Sequence, residues 1–147
     1  MELVTQGPLV EVLFAPHRAD VELLAQEGTA WQPISHRMMI DTGAALTIVE
    51  DPVPQFLQLE PIRFQAIAGV TGDLDCPVYR LQINIRSNGH DHGHIQFNSD
   101  IVAIPPVPEL ARPHVGLLGR DFLQFVRFEY DGPSGMYQLI DEHAMRG

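Results

Sequence analysis

Apolar and polar residues alternate along much of this chain with the period of strands. The clearest run is 79–85, where Tyr79, Leu81, Ile83 and Ile85 face one way and Arg80, Gln82 and Asn84 the other. One face of that strand is core and the other is wet. Residues 9–14 (LVEVLF) read as a mostly apolar strand ended by Pro16, and 34–40 (ISHRMMI) as a strand that turns fully apolar at its end. After the turn-like SNGHDHG, residues 95–104 (IQFNSDIVAI) resume as strand, and VRFEY and MYQLI flank DGPSG in the manner of a hairpin. Two short helices are expected, one over Asp20 to Gly28 with Asp20 as N-cap and Gly28 as its stop, the other within Gly119 to Phe125. Pro105, Pro106, Pro108 and Pro113 impose an extended surface connection.

Short strands punctuated by 12 Gly and 12 Pro, with no repeat and no shift of composition, predict one all-β domain over residues 1–147, a sandwich or a barrel. Its expected core is Val12, Phe14, Met38, Ile40, Ile48, Leu81, Ile83, Leu117, Phe122 and Tyr137. Charge narrows the function. Nineteen acidic residues stand against nine basic ones, all of them Arg, and the resulting net charge of −10 disfavours nucleic acid and anionic membranes as partners. The single cysteine, Cys76, excludes an internal disulfide framework and reads as a small apolar strand residue. No stretch is long and apolar enough to span a bilayer or to act as a secretory signal, so a reducing cytoplasm is the expected location.

The candidate chemistry begins where the second strand ends. In residues 38–44, MMIDTGA, an apolar run breaks into Asp41, Thr42, Gly43 and Ala44, and LTIV follows at 46–49. A D-[ST]-G-[AST] match arises by chance in roughly one chain in a hundred of this size, and Asp and Gly are ordinary turn residues. The setting adds weight, because an acid at a sharp bend between two apolar segments is costly unless it has a use.

Three landmarks in order, IDTGA at 40–44, AGVTG at 68–72 and GLLGRDFL at 116–123, resemble those of the retropepsin-like aspartic proteases, the single-domain relatives of pepsin that include the retroviral enzymes. The resemblance covers roughly residues 9–140 and rests most on the pairing of the first and third landmarks. It implies an all-β closed barrel with a flap hairpin and one short helix after the Leu-Leu-Gly motif. It implies a homodimeric endopeptidase acting on a peptide or protein, with no cofactor and no metal. Catalysis would fall to Asp41 and its symmetry mate, since peptide hydrolysis without a covalent intermediate needs a base for water and an acid for the carbonyl and the leaving amine. Two carboxyls about 3 Å apart that share one proton supply both roles, an arrangement for which aspartic proteases are the standard example.

By the same resemblance Thr42 would lock the two loops across the dimer axis, and Gly43 would leave room for the substrate backbone. Ala44 cannot donate a hydrogen bond to the carboxylate as Ser or Thr could, so activity is expected from mildly acidic to near neutral pH. Ala68, Gly69, Val70, Thr71 and Gly72 would form the flap. Leu117, Leu118 and Gly119 would thread past the catalytic loop, with Arg120 and Asp121 opening the helix beneath it. One departure stands out: many viral members carry an acid soon after the DTGA that pairs with the arginine of the third landmark, whereas here Ala45 and Leu46 occupy that region. Arg120 is therefore expected to pair with Asp121 or with an acid of the partner. Residues 17–33 lengthen the first connection beyond the viral pattern.

Other constellations are weaker. His90, His92 and His94 alternate within HDHGH and could ligate zinc or nickel, but the flanking Asn88-Gly89 and Gly93 favour an incidental turn. His17, His36, His114 and His143 suggest no site, and no glycine-flanked serine elbow supports nucleophilic catalysis. The alternative function is a retropepsin-like domain that dimerises or binds peptides without cleaving them.

Overall fold

The computed structural model describes residues 7–69, 72–86, 94–106 and 114–141. The alternation at 79–85 lies inside a 15-residue strand, β5 (Gly72–Arg86), whose Leu81, Ile83 and Ile85 are completely buried. That strand organises the rest. Its far half, Leu81–Ile85, pairs antiparallel with β1 (Leu9–Pro16), and its near half, Gly72–Val78, pairs with β4 (Arg63–Gly69). Along its other edge lies β6 (His94–Ile104). β2 (Ile34–Ile40) pairs with β1 and, in parallel, with β7 (Gly116–Leu118). β3 (Ile48–Glu50) joins β7 antiparallel to β6 parallel. The sheet therefore closes on itself as a six-stranded mixed barrel in the order β1-β2-β7-β3-β6-β5, leaving the β4–β5 hairpin as an arm beyond the ring.

Alternation aims Val12, Phe14, Met38, Ile40, Ile83 and Leu118 into the barrel, where each is at most 4% exposed. Burial of such a side chain stabilises by about 1.5–3 kcal/mol, which makes the interior the main stabilising element. Three expected core residues, Ile48, Leu117 and Tyr137, are only half-buried. Ile48 and Leu117 sit opposite each other across β3 and β7, on the face away from buried Val49 and Leu118. Tyr137 instead sends its hydroxyl to the Leu9 carbonyl at 2.8 Å.

A separate two-stranded sheet, β8 (Val126–Tyr130) and β9 (Tyr137–Asp141), is the expected hairpin around DGPSG. Its Leu139 enters the core, and Phe128 stacks on Tyr130 with ring centroids 6.2 Å apart.

Among the described residues three helices accompany the strands. α1 (Arg18–Gln26) starts three residues earlier than the sequence suggests, because the side chain of His17, not that of Asp20, caps it by accepting from the Ala19 N–H at 3.0 Å. Asp20 lies in the first turn and pairs with Arg80 at 3.4 Å. α2 (Pro52–Phe56), which the sequence reading did not include, holds two prolines. Both fall in the first turn, where a backbone N–H would have no intrahelical partner. α3 (Arg120–Leu123) is the short helix after Leu-Leu-Gly. Val70, Thr71, the 90–94 histidine cluster apart from His94, Pro108, Pro113 and His143 lie outside the described residues.

Candidate active site

Asp41 stands one residue beyond β2, where the parallel ladder with β7 ends: its N–H donates to the Leu118 carbonyl at 3.0 Å. The backbone then turns, with the Ala44 N–H donating to the Asp41 carbonyl at 3.2 Å. The Asp41 side chain is half-buried, and its Oδ1 accepts from the Gly43 N–H at 2.9 Å. A Cβ at Gly43 would come within 3.2 Å of that same oxygen, so the glycine gives its amide access to the carboxylate.

The loop is held from below by the residues of the third landmark. The Arg120 N–H donates to the Ala44 carbonyl at 2.8 Å and the Asp121 N–H to the Ala45 carbonyl at 3.3 Å. Gly119, the residue before them, is buried. A Cβ there would meet the Leu46 carbonyl carbon and oxygen at 2.7 Å and the Ala44 oxygen at 2.9 Å, which is why the Leu-Leu-Gly triplet ends in glycine. Phe122 anchors α3 by packing edge-on against Phe97 of β6 at 5.4 Å. The first and third landmarks, separated by more than seventy residues of sequence, are one hydrogen-bonded unit.

Arg120 departs from the expected ion pair. Its guanidinium donates to the Thr42 carbonyl at 2.9 Å, while Asp121 is engaged elsewhere. Asp121 Oδ1 accepts from the Thr47 hydroxyl at 2.6 Å, the Thr47 N–H at 3.0 Å and the Phe122 N–H at 2.8 Å. Geometry decides this: Asp121 points down at the start of its helix, whereas the Arg120 side chain is exposed above it. Thr47 is a site residue that sequence reasoning missed. It is 1% exposed, the buried polar residue among those described, and its Oγ1 also accepts from the Gly119 N–H at 3.1 Å. In LTIV a threonine reads as a β-branched strand residue, and its partners lie 72 and 74 positions away.

The flap candidates Ala68, Gly69 and Gly72 lie at the end of the β4–β5 hairpin, where Gly69 and Gly72 are the last paired residues. Ile67 of that hairpin and Ile48, the first residue of β3, pack on the same small cluster of Cys76, Val78 and Val102. The arm and the segment leaving the acid loop thus share an apolar floor. Burial, with Asp51 and Asp75 nearby, raises the Cys76 thiol above its ordinary range, so it is a packing group and not a reactive one. Among the described residues no group of His, Cys, Asp and Glu could hold a metal ion, and no helix is long and apolar enough to cross a membrane.

A cavity of about 590 Å³ lies on the β8–β9 hairpin, lined by Glu129, Tyr130, Asp131, Met136, Tyr137 and Gln138, and none of these belongs to the acid loop. No protein-family model matches the chain, and no curated protein does. Among solved structures it is similar to the simian foamy virus (mac) protease, with 19% identity, a TM-score of 0.45, and coverage of 80% of this chain and 92% of that one. It is also similar to the EIAV protease complexed with the inhibitor HBY-793, with 22% identity, a TM-score of 0.41, and coverage of 80% and 86%. The fold of the described residues is all-β, a closed six-stranded mixed barrel with a hairpin arm and a short helix after the Leu-Leu-Gly triplet.

Proposed function

We propose that the protein is an aspartic endopeptidase in which Asp41 of two copies meets across a two-fold axis. The observation that carries this reading is the acid loop itself: a half-exposed carboxylate at a strand end, bonded by the Gly43 amide and seated on a buried glycine that tolerates no side chain. A lone carboxylate has little hydrolytic power. Two that share a proton hold a base and an acid at once, because both cannot ionise at contact distance. The ionised member takes a proton from water, and the resulting oxygen bonds to the peptide carbonyl carbon as the protonated member gives its proton to the carbonyl oxygen. Collapse of the tetrahedral diol breaks the C–N bond: the protonated member gives its proton to the leaving nitrogen while the ionised member takes one from a diol hydroxyl, which restores the singly protonated pair.

One chain supplies only half of such a cleft, which accords with the open setting of Asp41. Leu46 at 45% exposure, with half-buried Ile48 and Leu117, gives the rim of the site an apolar character and favours substrates with apolar side chains around the scissile bond.

The test is a mass-spectrometric cleavage profile of wild type beside Asp41→Asn on a denatured-protein or peptide library. Wild type is expected to cleave with a maximum from mildly acidic to near neutral pH, and Asp41→Asn to lose about 10³-fold or more of that activity. Cleavage that survives the substitution would reject the proposal, and peptide binding without turnover by wild type would favour a non-catalytic binding domain. A maximum below about pH 3 would overturn the inference drawn from Ala44.

A further inference from the structure

We propose that Thr47, acting through Asp121, is the positioning residue for Asp41; its catalytic consequence rests on the hydrolytic reading above. The segment 41–47 is tied to residues 118–121 along its whole length. The ties at Asp41, Ala44 and Ala45 are backbone bonds to Leu118, Arg120 and Asp121. The Arg120 guanidinium adds an exposed tie to the Thr42 carbonyl, whereas the last tie is made inside the fold by two side chains. The Thr47 hydroxyl donates to Asp121 Oδ1 at 2.6 Å and accepts from the Gly119 N–H at 3.1 Å, so one oxygen joins the end of the loop to both the glycine seat and the start of α3.

Three observations set this clasp apart from ordinary packing. Thr47 is 1% exposed, so water cannot replace its hydroxyl. Asp121 Oδ1 gathers three donors, two of them from Thr47, so the carboxylate is oriented by the loop it supports. The clasp also closes on Gly119, whose missing Cβ lets the Leu46 and Ala44 carbonyls lie against the β7–α3 turn. Without the hydroxyl, the Gly119 N–H would be left facing a methyl group, and the loop would have to shift to satisfy it. Asp41 lies at the other end of that loop, with its amide on the residue before Gly119.

The experiment compares wild type, Thr47→Val, Thr47→Ser and Asp121→Asn, each checked for folded and dimeric fraction. Thr47→Val keeps the side-chain shape and removes the hydroxyl. Its kcat is expected to fall by about a hundredfold with KM within about twofold, and Thr47→Ser to restore kcat to within about fivefold of wild type. Amide hydrogen exchange supplies a readout independent of cleavage. In Thr47→Val the Asp41 and Arg120 amides are expected to exchange about tenfold faster or more, while the β5–β6 ladder keeps its protection. If Thr47→Val does not fold, Asp121→Asn, which retains one acceptor oxygen but loses the charge, carries the same comparison. Unchanged exchange at Asp41 and Arg120, or an equal loss throughout the barrel, would overturn the proposal. A wild type that cleaves nothing would reject the hydrolytic reading, and the exchange pattern would still decide the clasp.

Discussion

A methyl group at position 119 has no room: it would lie 2.7 Å from the Leu46 carbonyl and 2.9 Å from the Ala44 oxygen, both rigid backbone. Gly119→Ala is therefore expected to cost about 2–3 kcal/mol, at the upper end of overpacking penalties, and to push the acid loop off its seat. Urea unfolding at constant slope measures the first effect, and the cleavage assay the second. Asp41, Thr42, Gly43 and the Leu-Leu-Gly triplet could be named from the sequence because they stand in two short motifs, and the structure joins those motifs by hydrogen bonds. Thr47 could not, since its part is set by burial and by partners brought close only in the closed barrel. Of the two partners expected for Arg120, Asp121 is the one the structure corrects: it is adjacent in sequence, yet its Oδ1 is taken up by Thr47 and the Phe122 N–H, and the guanidinium donates to the Thr42 carbonyl instead.

Among elements, α1 is held least firmly. None of its residues is buried, and Leu23 is 53% exposed. Its attachments are the His17 cap, the Arg18 N–H on Asn98 Oδ1 at 2.8 Å and the half-exposed Asp20–Arg80 pair, which together contribute little. Its end is well formed: Gly28 at φ +72 lets the Thr29 N–H reach the Leu24 carbonyl and its own N–H the Ala25 carbonyl. The α1 amides are accordingly expected to exchange about a hundredfold faster, or more, than those of β5 and β6, as measured by NMR. β1, β2, β5 and β6 were legible as apolar or alternating runs, most clearly at 79–85, where pattern and burial coincide. β3 and β7 were not, because three residues cannot display a period, and α2 is a five-residue helix too short to show one.

The whole molecule carries a pH dependence on its alkaline side. Burial raises Tyr79 and Tyr137 as well as Cys76, with further contributions from acids that include Asp51 beside Tyr79 and Glu11 beside Tyr137. For each group the folded state holds its proton more tightly than the unfolded state. The stability is thus fully present below the ordinary thiol value of about 8.5 and is lost as pH rises through the folded values. The urea midpoint is expected to fall between pH 8 and about pH 10.5, and Cys76→Ala to delay the onset toward the tyrosine range near about pH 10. An all-β class was legible in the strand pattern. The closed barrel was expected from the resemblance of the three landmarks and not from the strand pattern, because ring closure depends on one strand serving two neighbours in succession.

That strand, β5, gives up its pairing with β4 at Val78 and takes up β1 at Leu81 along the same edge. Pro77, opposite Phe64 one residue before that change, has no N–H to give to the ladder. One backbone thus serves as the wall of the β4–β5 arm up to Val78 and, three residues on, as the strand that shuts the barrel, so a substitution that shifts β5 at this junction is felt by both.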